Sequence, residues 1–157
     1  MTIHIRATEA RDLGAISGLA GMLVRQHHDF DPERFFLAPN IEAGYRTFFA
    51  RELESPDALI LSAELDGVIV GYAFARLEPR NWNDLLDSCG VLHDLFVSEQ
   101  ARRRGVARQL LESVRERLSA RGAPRLVLHT ASRNAGARAF FAELGFRETM
   151  IELTAEL

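Results

Sequence analysis

At 157 residues the chain suits one domain, residues 1–157, long enough to bury a sizeable core. Its hydrophobic content of 47% and charged content of 26% are ordinary for a globular protein. The net charge of −3 excludes a general attraction to nucleic acid or an anionic membrane, and the single cysteine, Cys89, excludes an intrachain disulfide or a multi-cysteine zinc site. The opening residues Met1 to Arg6 lack a signal peptide's apolar core, and no stretch approaches the ~18 uninterrupted apolar residues of a membrane span. A reducing cytoplasm is the expected compartment.

In chain order, Ile3 to Ala7 alternates weakly and reads as a first strand. Thr8 or Asp12 can cap the helix that follows, whose apolar positions include Leu13, Ile16, Leu19, Leu23 and Val24. His27 to Asn40 is a polar and aromatic connection with Pro32 and Pro39. Its His27-His28-Asp29 run lacks a metal-ligand spacing and reads as a solvated helix end, so no metal is expected. Ile41 to Leu53 is a second helix, with Tyr45, Phe48 and Phe49 on or near its buried face, ended by Ser55-Pro56-Asp57. Ala58 to Leu65 and Val68 to Leu77 are strands joined by Asp66-Gly67, a dipeptide suited to a turn with positive φ. Glu78 to Asp87 is a loop, and Gly90 to Val97 is the next strand.

A helix follows, with Val106, Leu110, Val114 and Leu118 spaced four apart on one face and Gly122 and Pro124 at its end. Arg125 to Thr130 is another strand. Asn134 can cap a short helix whose Ala137, Phe140, Phe141 and Leu144 share a face, with Gly145 as its stop. Phe146 to Leu157 is expected to supply a final strand or two. The order β-α-α-β-β-β-α-β-α-β predicts an α/β fold, a mixed sheet with helices on both faces.

The most informative stretch is Arg102-Arg103-Arg104-Gly105-Val106-Ala107, between an apolar strand and an apolar-striped helix. The first turn of a helix leaves backbone N–H groups without partners, and the positive end of its dipole favours an anion. Gly105 allows a close backbone approach, and three arginines supply forked donors for phosphate oxygens. Neither of the commonest nucleotide loops, G-x-x-x-x-G-K-[ST] or G-x-G-x-x-G, is present.

The pattern Arg-x-x-Gly-x-Ala, from Arg102 to Ala107, resembles the acyl-CoA pyrophosphate loop of the GNAT superfamily of N-acyltransferases. Asp94-Leu95-Phe96-Val97 looks like the end of that family's fourth strand, and Asn134 to Phe146 like its last helix and the Gly-Phe that leaves it. The resemblance implies a mostly antiparallel central sheet whose fourth and fifth strands splay apart around acetyl-CoA. It implies cofactor contacts from Arg102, Arg103, Arg104, Gly105, Val106, Ala107 and Arg108 to the pyrophosphate, and from the backbone of Leu95, Phe96 and Val97 to the pantetheine. Asn134 matches a pantetheine-contacting position that is equally a helix cap, and Arg138 is a candidate for a CoA phosphate or a solvated helix arginine.

The implied reaction is direct acetyl transfer to an amine. Its candidate base or water relay is His93 or Asp94; neighbours in a regular strand point to opposite faces, so only a bulge would bring both to one cleft. Phe141 stands where many members carry a tyrosine credited with protonating the departing sulfur. The expected acceptor is a small-molecule amine, with no nucleic acid or membrane partner and a monomeric or homodimeric chain. Asp29, Asp31, Glu33 and Glu42 hint at a cationic acceptor such as a polyamine or amino sugar. Acetylation of a protein N-terminus or lysine, and a non-catalytic acyl-CoA-binding domain, are the alternatives.

Overall fold

The computed structural model describes residues 2–157. Five strands form one sheet in the order β1-β2-β3-β4-β5, where β1 is Ile3–Ala7, β2 Ala58–Leu65, β3 Val68–Glu78, β4 Cys89–Val97 and β5 Leu126–Leu128. The first three pairings are antiparallel and β4 with β5 is parallel, so the sheet is mixed as the element order predicts. Asp66 and Gly67 have φ of 52° and 81° and close the hairpin between β2 and β3.

Helices α1 (Leu13–Phe30) and α2 (Ile41–Glu52) pack on one face, and α3 (Val106–Ala120) covers the other. The α3 stripe of Val106, Leu110, Leu111, Val114 and Leu118 is fully sequestered against Leu61, Ala63, Ala73 and Ala75. Across the sheet, Ile16, Leu19 and Ala20 of α1 and Phe49 of α2 meet Ile60, Tyr72, Phe74 and Phe96. A short 3-10 turn, Ala10–Asp12, leads into α1, and there the carboxylate of Asp12 accepts from the Glu9 backbone N–H at 2.8 Å. Thr8 instead turns inward to bond the Ser62 hydroxyl at 2.7 Å.

Two expectations change. α1 runs through Phe30, so His27 and His28 form its last turn and the connection is confined to residues 31–40. Phe146 to Leu157 forms no strand among the described residues. That segment leaves α4 (Ala135–Glu143) and is tied down by side chains, through Glu148 to Arg138 at 2.7 Å and through Glu152 to Arg34. A strand requires a ladder of backbone bonds, and these anchors hold the segment by its edges without one.

Candidate acetyl-transfer site

The site begins where β4 and β5 part. Their ladder lasts only from Gly90–Leu126 to Leu92–Leu128, while β4 runs on to Val97 with β3 alone beside it. At that point the register of β3 against β4 slips: Phe74 faces Asp94, but Ala75 faces Leu92. His93 is therefore the extra residue of a β-bulge.

The bulge resets the alternation of β4. Leu92 packs in the α3 core, and in a regular strand Asp94 would follow it there. Instead Asp94 lies on the α1–α2 face, where the Tyr72 hydroxyl donates to its Oδ2 at 2.8 Å. His93 stacks on Phe74 with ring centroids 5.4 Å apart, and its Nε2 donates to Glu78 Oε1 at 2.9 Å. Both side chains line one cavity of about 300 Å³, so the bulge brings together the two residues that regular strand geometry would separate.

Burial pushes the Asp94 carboxyl above its ordinary range, because a charged carboxylate loses solvation there; the Tyr72 hydrogen bond and the nearby His93 and His27 pull it back. Burial likewise raises Tyr72 well above the usual phenol value, with the Asp94 charge as a further cause, and holds its proton for donation. Tyr45 lines the same cavity and is pushed up to about 12, by burial first and then by Asp94.

The other cavity walls come from α1, the connection, α2, β5 and α4. Asn134 accepts from the Ala137 N–H at 3.0 Å, capping α4 while also facing the cavity. Phe141 lies on the cavity wall against Phe140 and Phe146, with centroids 5.2 and 5.5 Å away. It offers no proton. Tyr72 cannot stand in for it, since its hydroxyl is committed to Asp94 on β4. Leu95 lines the cavity, whereas Phe96 and Val97 point their side chains into the two cores.

The turn between β4 and α3 has the backbone of an anion cradle. Arg103 and Gly105 have φ of 63° and 83°, left-handed conformations that create concavities of N–H groups ahead of a helix. A Cβ at residue 105 would meet no protein atom within 4 Å, so the fold itself asks for glycine through its φ rather than through crowding. Arg102 turns back on the strand: its Nε donates to the Val97 carbonyl at 3.1 Å and its guanidinium lies over Phe96. Arg103 and Arg104 are exposed beside the turn. Val106 is buried, Ala107 packs against the α3 core, and Arg108 lies 3.8 Å from Glu143 and 3.9 Å from Glu112. Arg138 is engaged by Glu148 at 2.7 Å. The donor-rich turn ahead of a helix is built to hold an anion such as a diphosphate.

Several features escaped sequence reasoning. Tyr45 and His27 reach the cavity, and Tyr72 reaches Asp94 behind it, only through tertiary packing, and no local motif gives these placements. The acidic residues in and around the connection do not line it: Asp31 lies 3.6 Å from Arg133, Glu42 pairs with Arg25 at 2.5 Å, and Asp29 and Glu33 are exposed. Cys89 is 3% exposed at the start of β4, with its thiol raised by burial, a poor setting for a nucleophile. A second depression of about 460 Å³, at Leu13, Arg46, Thr47, Ala50, Arg51 and Glu54, takes no residue from β4 or β5. Among the described residues no group of three or more His, Cys, Asp or Glu side chains is arranged to hold a metal ion, and no helix is long and apolar enough to cross a membrane.

A model of the acetyltransferase (GNAT) family matches residues 22–146. A Bacillus subtilis (strain 168) protein described as the uncharacterized N-acetyltransferase YhfO is 29% identical over 146 residues, spanning 93% of this chain and 91% of its own. The structure of a tetramutant of the BH1408 protein from Bacillus halodurans superposes with a TM-score of 0.85 at 18% identity, covering 98% of this chain and 99% of that one. That of a PaiA N-acetyltransferase from Thermoplasma acidophilum in complex with coenzyme A gives 0.76 at 17% identity, covering 97% and 94%. At such identities the two solved structures speak for the fold.

Proposed function

The chain belongs to the acetyltransferase (GNAT) family, and from that premise we propose that it acetylates the primary amine of a small molecule by direct transfer in a ternary complex. As a member of that family it is an acetyl-CoA-dependent N-acetyltransferase. Acetyl-CoA supplies the activated acyl group; Arg103, Arg104, Gly105 and the first turn of α3 would hold its diphosphate, and the free edge of β4 from Leu95 to Val97 and Asn134 would align its pantetheine. Arg102 braces that turn from behind.

The observation that carries this reading is the convergence of Asp94 and the parting of β4 from β5 in one cavity, on the strand whose end leads into the cradle turn. A nucleophilic amine must be neutral, and Asp94 is the group to take its proton, either directly or through water. Its raised carboxyl makes it a better base than an ordinary aspartate. His93, adjacent in the cavity and with a side chain 39% exposed, would pass the proton toward solvent while Glu78 orients its ring.

In the transfer, the amine nitrogen forms a bond to the thioester carbonyl carbon and the carbon–sulfur bond breaks. The amine loses one proton and the thiolate finally takes one up. An edge N–H of β4 would stabilise the developing oxyanion. With Phe141 in place of an acid, the thiolate leaves unprotonated, which its conjugate-acid pKa of about 8.5 permits. A buried Cys89 outside the cavity supports direct transfer over an acyl-enzyme. The single sheet with a core on each face supports one domain, and the free cysteine fits a reducing cytoplasm.

The test is acceptor-dependent release of free thiol from acetyl-CoA, measured in parallel with calorimetric binding of acetyl-CoA. Release on adding a small amine is the expected result. Binding of acetyl-CoA with release only on protein N-termini or lysine peptides would overturn the small-molecule assignment, and binding without release on any acceptor would overturn catalysis.

A further inference from the structure

On the acceptor side, the cavity is walled by Leu23, Val24, His27, Phe35, Phe36 and Tyr45. These side chains form an organised aromatic surface. His27 donates from Nδ1 to the Leu23 carbonyl at 2.8 Å and meets Phe35 edge-on at 5.0 Å. His28 donates from Nδ1 to the Phe35 carbonyl at 2.7 Å, fixing that backbone. Arg34 lies over the other side of Phe35, 4.9 Å from its centroid. Phe36 is 77% exposed and lines the cavity next to Phe35, so its ring is available to an apolar ligand body there.

The charges in this wall are sparse and uneven. Asp94 is the only carboxylate among the lining residues, and the one lining guanidinium, Arg34, is paired with Glu152. A ligand with one ammonium can pair it with Asp94. A second ammonium would lose solvation beside the apolar rings with no lining carboxylate of its own, since the nearby Glu152 is already paired with Arg34 and Glu78 with His93. The lining holds polar side chains such as Gln26, His129, Thr130 and Asn134 as well, but a sugar laid against Leu23, Val24, Phe35 and Phe36 would leave hydroxyls without partners on that side. About 300 Å³, shared with the thioester end of the donor, leaves space for one ring rather than several.

We propose that the acceptor is a monoamine on a single aromatic or compact apolar body, its nitrogen at Asp94 and its body against Phe35, Phe36 and Tyr45. This rests on Asp94 marking the acceptor end of the transfer site. It replaces the cationic acceptor hinted at by Asp29, Asp31, Glu33 and Glu42, which the fold keeps out of the cavity.

The experiment compares kcat/KM for 2-phenylethylamine, spermidine and glucosamine at saturating acetyl-CoA, and measures 2-phenylethylamine binding to the CoA-saturated protein by calorimetry. We expect 2-phenylethylamine to lead by about tenfold or more, and Phe36→Ala and Phe35→Leu each to raise its KM several-fold, roughly the worth of lost apolar contact, without changing the KM of acetyl-CoA. Phe36 is exposed, so its variant carries little risk of misfolding. Spermidine or glucosamine equalling 2-phenylethylamine would overturn the acceptor class and leave the transferase assignment standing. Binding of 2-phenylethylamine that depends on Phe36, without turnover of any amine, would support the aromatic site and count against the transferase reading. Absence of both binding and turnover of 2-phenylethylamine would overturn the proposal.

Discussion

Asp94 is held as a strained compromise between chemistry and stability. Because burial raises its carboxyl in the folded state above the unfolded value, the folded protein binds that proton more tightly. The cost of keeping the carboxylate ionised is therefore absent below the unfolded value. It grows as pH rises through the interval between the two values and is complete above the folded one. Asp94→Asn keeps an acceptor for the Tyr72 hydroxyl and removes the charge. Its melting temperature should exceed that of the wild type at neutral pH, with the gain vanishing in acid; equal melting temperatures at neutral pH would contradict the buried-charge cost. The same variant should lose about a hundredfold or more in kcat/KM if the carboxylate takes the amine proton. Tyr72→Phe offers the complementary case: without its donor the carboxylate is less favoured, so the acid limb of the kcat/KM profile should move to higher pH. The sequence brought His93 and Asp94 forward as candidates but could not orient them. Their placement depends on one residue of slip against β3, and Tyr72 is joined to Asp94 through a register set by two whole strands.

At the scale of elements, one arginine reinforces the ladder and core packing that hold β1. The Arg6 guanidinium donates to both oxygens of Asp12, at 2.6 and 2.9 Å, and to Glu64 Oε1 at 2.6 and 2.9 Å. It thereby ties β1 to the entry of α1 and to β2. The Asp12 side chain is 5% exposed, and the Arg6 hydrogen bond holds its carboxyl below the usual range. A depressed value means stability that is present above the unfolded carboxylate range and lost as pH falls through the folded value. Arg6→Leu should thus cost roughly 2–3 kcal/mol at neutral pH by leaving Asp12 charged and unpaired, and less in acid. Denaturant unfolding at two pH values checks this, and a loss independent of pH would point to packing instead. Such ties are invisible in sequence, where Ile3 to Ala7 shows only alternation. Periodicity did reveal β1 and β2 with the observed bounds and four of the five buried residues of the α3 stripe, missing Leu111, because each element buries one regular face. It failed for Phe146 to Leu157, whose β-like composition finds no backbone partner here. A strand is a property of two segments, and one pattern cannot report the other.

Across the whole molecule, packing declines from the middle of the sheet toward the donor side. β2, β3 and α3 contribute most of the fully sequestered side chains, whereas β5 and α4 contain none that is fully buried and the segment after them is exposed. β4 belongs to both regimes: from Cys89 to Leu92 it is buried and paired where β5 reaches it, and beyond that its free edge opens on the cavity. Local opening free energies follow burial and hydrogen bonding, so the two regimes should exchange amide protons at different rates. The slowest should lie in β2 and β3, and the fastest structured ones in β5 and α4. A ligand spanning the free edge of β4, the cradle turn and Asn134 would join both regimes and stabilise chiefly the weaker. At a concentration a hundredfold above its Kd such a ligand contributes about 2.7 kcal/mol. For a chain of this size that is a rise in melting temperature of roughly 5–10 °C. Acetyl-CoA should therefore raise the melting temperature by that amount and slow exchange selectively in residues 93–97, β5 and the first turns of α3 and α4. Slowing confined to the α1–α2 face, or shared evenly over the sheet, would place the donor elsewhere. The selective pattern would also explain why β5 and α4 are so lightly packed: the segments that close on the donor draw part of their stability from it, and so remain loose enough to release the product.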